Sequence, residues 1–139
     1  MTTLLLGEAG QLGRELQRSF PQSGFFITGK KSNVHHLNDR KNCDELIKIV
    51  KETHPSVIVN AAAYTAVDQA QKNPEMVRQI NAVIPSVLAH EAASIDAWLI
   101  HYSTDYVFSG KGSRPWVETD LAEPLNIYGQ TKLEGDLAI

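Results

Sequence analysis

With a single cysteine, Cys43, among its 139 residues, this chain cannot form an internal disulfide. A small fold stapled by disulfides is excluded, and the thiol content fits a reducing cytoplasm. Long hydrophobic runs are missing as well: nothing approaches the roughly 20 apolar residues of a membrane-spanning helix. The start, Met1-Thr-Thr-Leu-Leu-Leu-Gly, has no basic segment and too short an apolar stretch for a secretory signal. Excess charge of one sign is also lacking. Thirteen Lys and Arg face sixteen Asp and Glu, for a net charge of −3, which gives no global case for a nucleic-acid or membrane partner. There is no internal repeat, low-complexity tract or like-charge block. What is present is 42% apolar and 21% charged residues, the balance of a soluble globular domain with a sizeable core. We expect one domain over residues 1–139.

Apolar runs at 2–6, 25–28, 57–59 and 98–102 read as short buried strands. Between them lie segments of helical period: Leu12, Leu16 and Phe20; then Leu46, Ile49, Val50 and Thr53 behind a capping Asn42 and stopped by Pro55. A long helix over 74–93 carries Met76, Ile80, Val83, Val87 and Leu88 on its apolar side. Residues 109–127, with Gly110, Gly112, Pro115 and Pro124, form a loop, and a last helix starts near Asn126 and runs to the final residue. Strands alternating with helices predict βαβ units in a doubly wound, Rossmann-type parallel sheet of the α/β class.

Gly7-Glu-Ala-Gly10-Gln11-Leu12-Gly13 lies between the first strand and the first helix. Glycines there let the backbone turn tightly and approach a pyrophosphate, which the free N–H groups of the helix then bind. A tight turn without a ligand fits the same residues. The second strand ends Thr28-Gly29-Lys30-Lys31, and two cations suit a ribose 2′-phosphate better than a free 2′-hydroxyl. This favours NADPH, with NADH as the alternative cofactor; two solvated lysines are the competing account. Asp39 and Arg40 lie where the chain could wrap an adenine. Ala61, Ala62, Ala63, Tyr64 and Thr65 follow the third strand, where small residues let a ribose and nicotinamide lie against the strand ends.

Tyr128 and Lys132 are four residues apart, one turn along a helix face. A nearby ammonium favours phenolate and makes a Tyr a usable proton donor. Chance alone produces such a pair roughly one time in four in a chain of this composition, so the motif gains weight only from its context. That context is Ser103-Thr104-Asp105 at the end of the fourth strand, which faces the ligand crevice of an open sheet. Thr104 can donate to a substrate carbonyl, Tyr128 can protonate the alkoxide formed by hydride attack, and Lys132 can orient the cofactor.

Four stretches carry a resemblance: Leu-Leu-Leu-Gly-Glu-Ala-Gly-Gln-Leu-Gly-Arg-Glu-Leu-Gln, Pro-Ser-Val-Ile-Val-Asn-Ala-Ala-Ala-Tyr-Thr-Ala-Val-Asp, His-Tyr-Ser-Thr-Asp-Tyr-Val-Phe-Ser-Gly and Pro-Leu-Asn-Ile-Tyr-Gly-Gln-Thr-Lys-Leu-Glu-Gly. In this order and spacing the chain resembles the extended short-chain dehydrogenase/reductases, and among them the dTDP-4-dehydrorhamnose reductases. The resemblance implies reduction of the C4 keto group of dTDP-4-dehydro-L-rhamnose in dTDP-L-rhamnose synthesis. It implies Thr104, Tyr128 and Lys132 as the catalytic trio and Thr104, Asp105 and Tyr128 at the sugar. At the cofactor it implies Gly10, Gln11, Leu12, Lys30, Asp39, Arg40, Ala63, Tyr64, Thr65, Tyr128 and Lys132. Some relatives form a Mg2+-bridged homodimer through an acidic residue on the first helix, where this chain has Glu15. Lys30, Arg40 and Gln71 depart from the acidic, aromatic and Glu residues common in the family. Family members are much longer, and their second half supplies the sugar pocket. The resemblance therefore implies a chain truncated before its substrate domain and poorly active alone. Two other readings are a non-catalytic nucleotide-binding regulatory module, such as the methionine adenosyltransferase β-subunit, and another extended-family sugar-nucleotide epimerase or dehydratase.

Overall fold

The computed structural model describes residues 2–19, 25–27 and 40–139, and the side chains of all of these but 25–27 and 40–42. Four parallel strands form the sheet: β1 (Thr3–Leu6), β2 (Phe25–Ile27), β3 (Val57–Asn60) and β4 (Trp98–His101), in the order β2-β1-β3-β4. The chain moves from β1 outward to β2, then returns to add β3 on the other side. That reversal makes the carboxyl ends of β1 and β3 the switch point, where open α/β sheets hold their ligands. Register sets Leu6 beside Asn60 and Asn60 beside His101. Three strand ends therefore present neighbouring residues along one edge of the site.

The core lies on one face. Leu4 and Leu6 of β1 and Ile58 of β3 meet Leu46 and Val50 of α2 (Arg40–Thr53) and Ile84, Leu88 and Ala92 of α5 (Ile84–Ser94). Leu5 and Val59 alternate to the opposite face and are buried there too. A parallel strand covered on both faces needs a continuous apolar run, the reason Leu-Leu-Leu reads correctly. Among the described residues no helix is long and apolar enough to cross a membrane.

The expected helix at 74–93 is present as three continuous pieces: α4 (Pro74–Arg78), a π turn at Gln79–Val83, and α5. The Ile84 N–H reaches back five residues to the Gln79 carbonyl. Pro85 has no N–H for the Asn81 carbonyl one turn before it, so the regular ladder is broken where the extra residue enters. The insertion moves the buried stripe to Val77, Ile80, Asn81, Ile84 and Leu88, away from Met76, Val83 and Val87. The freed Asn81 carbonyl faces α6 (Ile127–Leu137), and a Cβ on Gly135 would lie 2.1 Å from it.

Other boundaries differ from expectation. α2 starts at Arg40, so Asn42 lies within it and does not cap it. A short helix, α3 (Val67–Ala70), and a 3-10 turn at Asp105–Val107 occupy segments with too few residues to show a period. α6 does start behind Asn126, whose side chain accepts from the Gly129 N–H at 2.8 Å. It ends at Leu137 and does not run to Ile139; the last turn tightens as Ala138 N–H bonds to the Gly135 carbonyl. Gln71, in place of the common Glu, accepts from the Ile127 N–H at 3.0 Å and so adds a second cap to α6.

Candidate functional site

The glycine turn is built by backbone contact. Gly7 leaves β1 with φ +83, and a Cβ there would lie 2.5 Å from the Ala61 carbonyl carbon. On Gly13, inside α1 (Gln11–Ser19), a Cβ would meet the Gly7 oxygen at 2.1 Å. Both are buried. They shape the turn, while Gly10 and Gln11 are exposed and Leu12 half-buried at the start of α1. The first N–H groups of a helix have no intrahelical acceptor and carry the positive end of the dipole, so this exposed start fits an anionic pyrophosphate. Lys30 and Asp39 lie outside the described residues, as does the Arg40 side chain.

Beyond β3, Ala62 is buried and Ala61, Ala63 and Tyr64 are half-buried, with Thr65 exposed. Asn81, 1% exposed within the π turn, fixes this stretch. Its Oδ1 accepts from Tyr64 N–H at 2.8 Å, and its Nδ2 donates to the Tyr64 carbonyl at 3.1 Å and to Thr131 Oγ1 at 3.3 Å. A buried amide that bonds both backbone groups of one residue sets that segment more firmly than packing alone.

At the end of β4, Thr104 caps the 3-10 turn, its Oγ1 accepting from Tyr106 N–H at 3.3 Å. The Tyr106 ring stands edge-on to Tyr128, centroids 5.4 Å apart. Tyr128 is buried among Ala70, Val77, Tyr64 and Ile127. Thr104 and Tyr128 are thus joined through Tyr106. Asp105, exposed, lines a groove of about 230 Å³ with Tyr106, Phe108 and Asn126.

Lys132 is one turn beyond Tyr128 on α6, as the spacing requires, and is only 2% exposed. Its Nζ is 2.5 Å from the Tyr102 carbonyl and 3.0 Å from His101 Nε2. Among the described residues no hydrogen bond joins it to the Tyr128 hydroxyl; a buried ammonium takes the nearest strong acceptors, and these are at the end of β4. Asp136, a further turn along α6, accepts from the Ser103 hydroxyl through Oδ2 and holds Oδ1 3.5 Å from His101 Nε2. Burial pushes the Lys132 ammonium below the ordinary lysine range, and Asp136 partly restores it. For Asp136, burial opposes its charge, yet hydrogen bonds from His101 and Ser103 and the charge of Lys132 hold it below the usual carboxylate range.

Glu15 is exposed on α1 and pairs with Arg18 at 2.5 Å. The described residues contain no cluster of three or more His, Cys, Asp or Glu able to hold a metal. A lone carboxylate already bound to a guanidinium does not fit Mg2+, which needs several oxygen ligands in octahedral array. Among the described residues, then, nothing supports the expected Mg2+ at Glu15. Sequence reasoning missed Asn60, Asn81, His101 and Asp136. Each left a signal: a polar residue closing an apolar strand or stripe, or a carboxylate one turn beyond a buried lysine.

Residues 1–139 match the family model described as RmlD substrate binding domain. The dTDP-4-dehydrorhamnose reductase of Escherichia coli (strain K12) is 45% identical over 139 residues, 100% of this chain and 46% of that protein. Methionine adenosyltransferase 2 subunit beta of Rattus norvegicus is 35% identical over 144 residues, 98% of this chain and 42% of that protein. A crystal structure of dTDP-4-dehydrorhamnose reductase from Bacillus anthracis str. Ames in complex with NADP superposes with a TM-score of 0.87 at 32% identity, covering 99% of this chain and 49% of that one. The chain spans less than half the length of the curated relatives it matches.

Proposed function

We propose a function from one premise: the chain belongs to the RmlD substrate binding domain family. It is the cofactor-binding part of an NAD(P)H-dependent sugar-nucleotide reductase, acting on the C4 keto group of dTDP-4-dehydro-L-rhamnose in the cytoplasm. The observation that carries this reading is the packing of α6 on the end of β4. It brings Tyr128, Lys132 and the Thr104 turn together at the end of β4.

A reduced nicotinamide bound along Gly10, Gln11, Leu12 and Ala61 to Thr65 would supply the hydride. NADPH is the preferred form, on the strength of Lys30 and Lys31 and of the NADP in a solved relative. Thr104 Oγ donates to the sugar's C4 oxygen and polarises it. Tyr128 gives its hydroxyl proton to the alkoxide as it forms. Lys132 orients the cofactor ribose, and Asp105 contacts the sugar from the adjoining groove.

The test is NADPH oxidation with dTDP-4-dehydrorhamnose, by a protein of the relatives' length that carries these residues. Tyr128→Phe should lower turnover ~10²–10⁴-fold and leave NADPH affinity unchanged; full turnover in the variant refutes the acid role. Similarity to a methionine adenosyltransferase subunit favours one other reading, a nucleotide-binding regulatory module. That reading expects binding to a partner enzyme that is indifferent to Tyr128→Phe.

A further inference from the structure

Thr131 stands between Tyr128 and Lys132 on α6 and is 5% exposed. Its hydroxyl gives its proton back along the helix, to the Ile127 carbonyl at 2.8 Å or the Tyr128 carbonyl at 3.0 Å. The oxygen is then free to accept, and Asn81 Nδ2 donates to it at 3.3 Å. The other contacts of Asn81 fix which way its amide is turned. Its Oδ1 faces the Tyr64 N–H at 2.8 Å and its Nδ2 the Tyr64 carbonyl at 3.1 Å. Turning the amide over would oppose donor to donor and acceptor to acceptor. In the observed sense every contact pairs a donor with an acceptor, and the amide oxygen and nitrogen are both used. The Asn81 main chain meets α6 as well. Its carbonyl oxygen lies 2.1 Å from where a Cβ on Gly135 would stand, one turn beyond Thr131.

Apolar contact would pack these elements without a buried amide, which is costly to desolvate unless its groups are bonded. What the amide adds is direction: it fixes the rotation and advance of α6 against the Tyr64 backbone. We propose that Thr131, held by Asn81, is the positioning residue for Tyr128 and Lys132. One side chain binds the main chain after β3 to the face of α6 that carries the pair. The stretch proposed to hold the nicotinamide and its ribose thus keeps one alignment with the helix that carries the acid. A misplacement of ~1 Å at reacting atoms costs as much as ~10²-fold in rate. This catalytic consequence rests on the proposed reductase reading; the link between Tyr64 and α6 does not.

The first arm of the test reads amide hydrogen exchange in the 139-residue chain without cofactor. The β1 amides of the same sample report global opening and serve as the reference. Asn81→Ala removes the acceptor of the Tyr64 N–H, whose exchange should quicken about tenfold. Thr131→Val keeps the shape and loses the hydroxyl. Through Asn81 it should quicken the Tyr64 amide about threefold, and Thr131→Ser should not. The second arm uses a protein of the relatives' length that carries these residues. With Thr131→Val, kcat should fall about tenfold while KM for NADPH stays within about twofold. Tyr64 keeps its bonds to Asn81 there, whereas Tyr128 loses its alignment. Thr131→Ser should recover most of the lost kcat. A Tyr64 amide unmoved in Thr131→Val overturns the proposal, as does full kcat in that variant with only the thermal midpoint lowered. Should Asn81→Ala fail to fold, the two Thr131 variants still decide. A wild-type enzyme that does not oxidise NADPH with the sugar counts against the proposed function, and the exchange arm then decides the link on its own.

Discussion

β1 and β4 are written in the same alphabet, yet they live in different surroundings. Leu4, Leu5 and Leu6 are at most 1% exposed, whereas Trp98 is 78% and Ile100 44% exposed on β4. β1 lies between β2 and β3; β4 pairs only with β3 and is the edge of the sheet among the described residues. An apolar run therefore marks a strand suited to burial, while neighbours determine whether the burial happens. Exposed Trp98 and Ile100 on β4, with Tyr102 just beyond its end, are the kind of patch that marks a contact surface. It lies next to the polar cluster that holds Lys132, so the most sealed and the most open parts of the sheet flank the same site.

Three measurements sharpen or break this contrast. The largest effect is expected from Leu5→Ala. At 0% exposure it should lose about 2–5 kcal/mol in urea unfolding, and a loss well under that range would mean β1 is less sealed than it looks. Next comes Asp136→Asn, at the junction of the two regions. The folded carboxyl sits below its ordinary range, so the stability it contributes is present above the unfolded value and is lost as pH falls through the folded one. The wild-type urea midpoint should drop more between neutral pH and pH ~3 than that of the variant; parallel curves would remove the carboxylate from the account. The smallest effect is Trp98→Lys. With most of its ring in water it should change stability by about 0.5 kcal/mol or less, and a cost like that of Leu5→Ala would show β4 to be covered.

The strands, the glycine turn and the Tyr128–Lys132 helix were legible because each rests on a local period or a short spacing. The α2 start was not, since Asn42 has cap chemistry but the helix extends beyond it to Arg40. Nor was the π turn, which depends on Pro85 withholding a donor while Asn81 finds Tyr64 and Thr131 far along the chain. The site divided the same way. Residue types pointed to Tyr128, Lys132 and Thr104, but the partners of Lys132 come from β4 and the next turn of α6, and only the sheet register brings Asn60 to His101. Long-range polar pairing leaves no period to read.

The contact of Gly13 with the Gly7 carbonyl, and of Gly7 with the Ala61 backbone, bears on how variation at this turn should be interpreted. In a random library selected for folding alone, with no nucleotide supplied, both glycines would survive, because any side chain there displaces main chain. Their persistence would record architecture. Gly10 behaves otherwise: among the described residues a Cβ there would meet only the Gly7 oxygen, at 3.3 Å, a distance that a small relaxation can accommodate. Under folding selection that position should drift toward alanine and serine; on the proposed cofactor reading, adding nucleotide to the selection should restore glycine. Of the three glycines, the middle one is where the proposed ligand, and not the fold, would leave its mark.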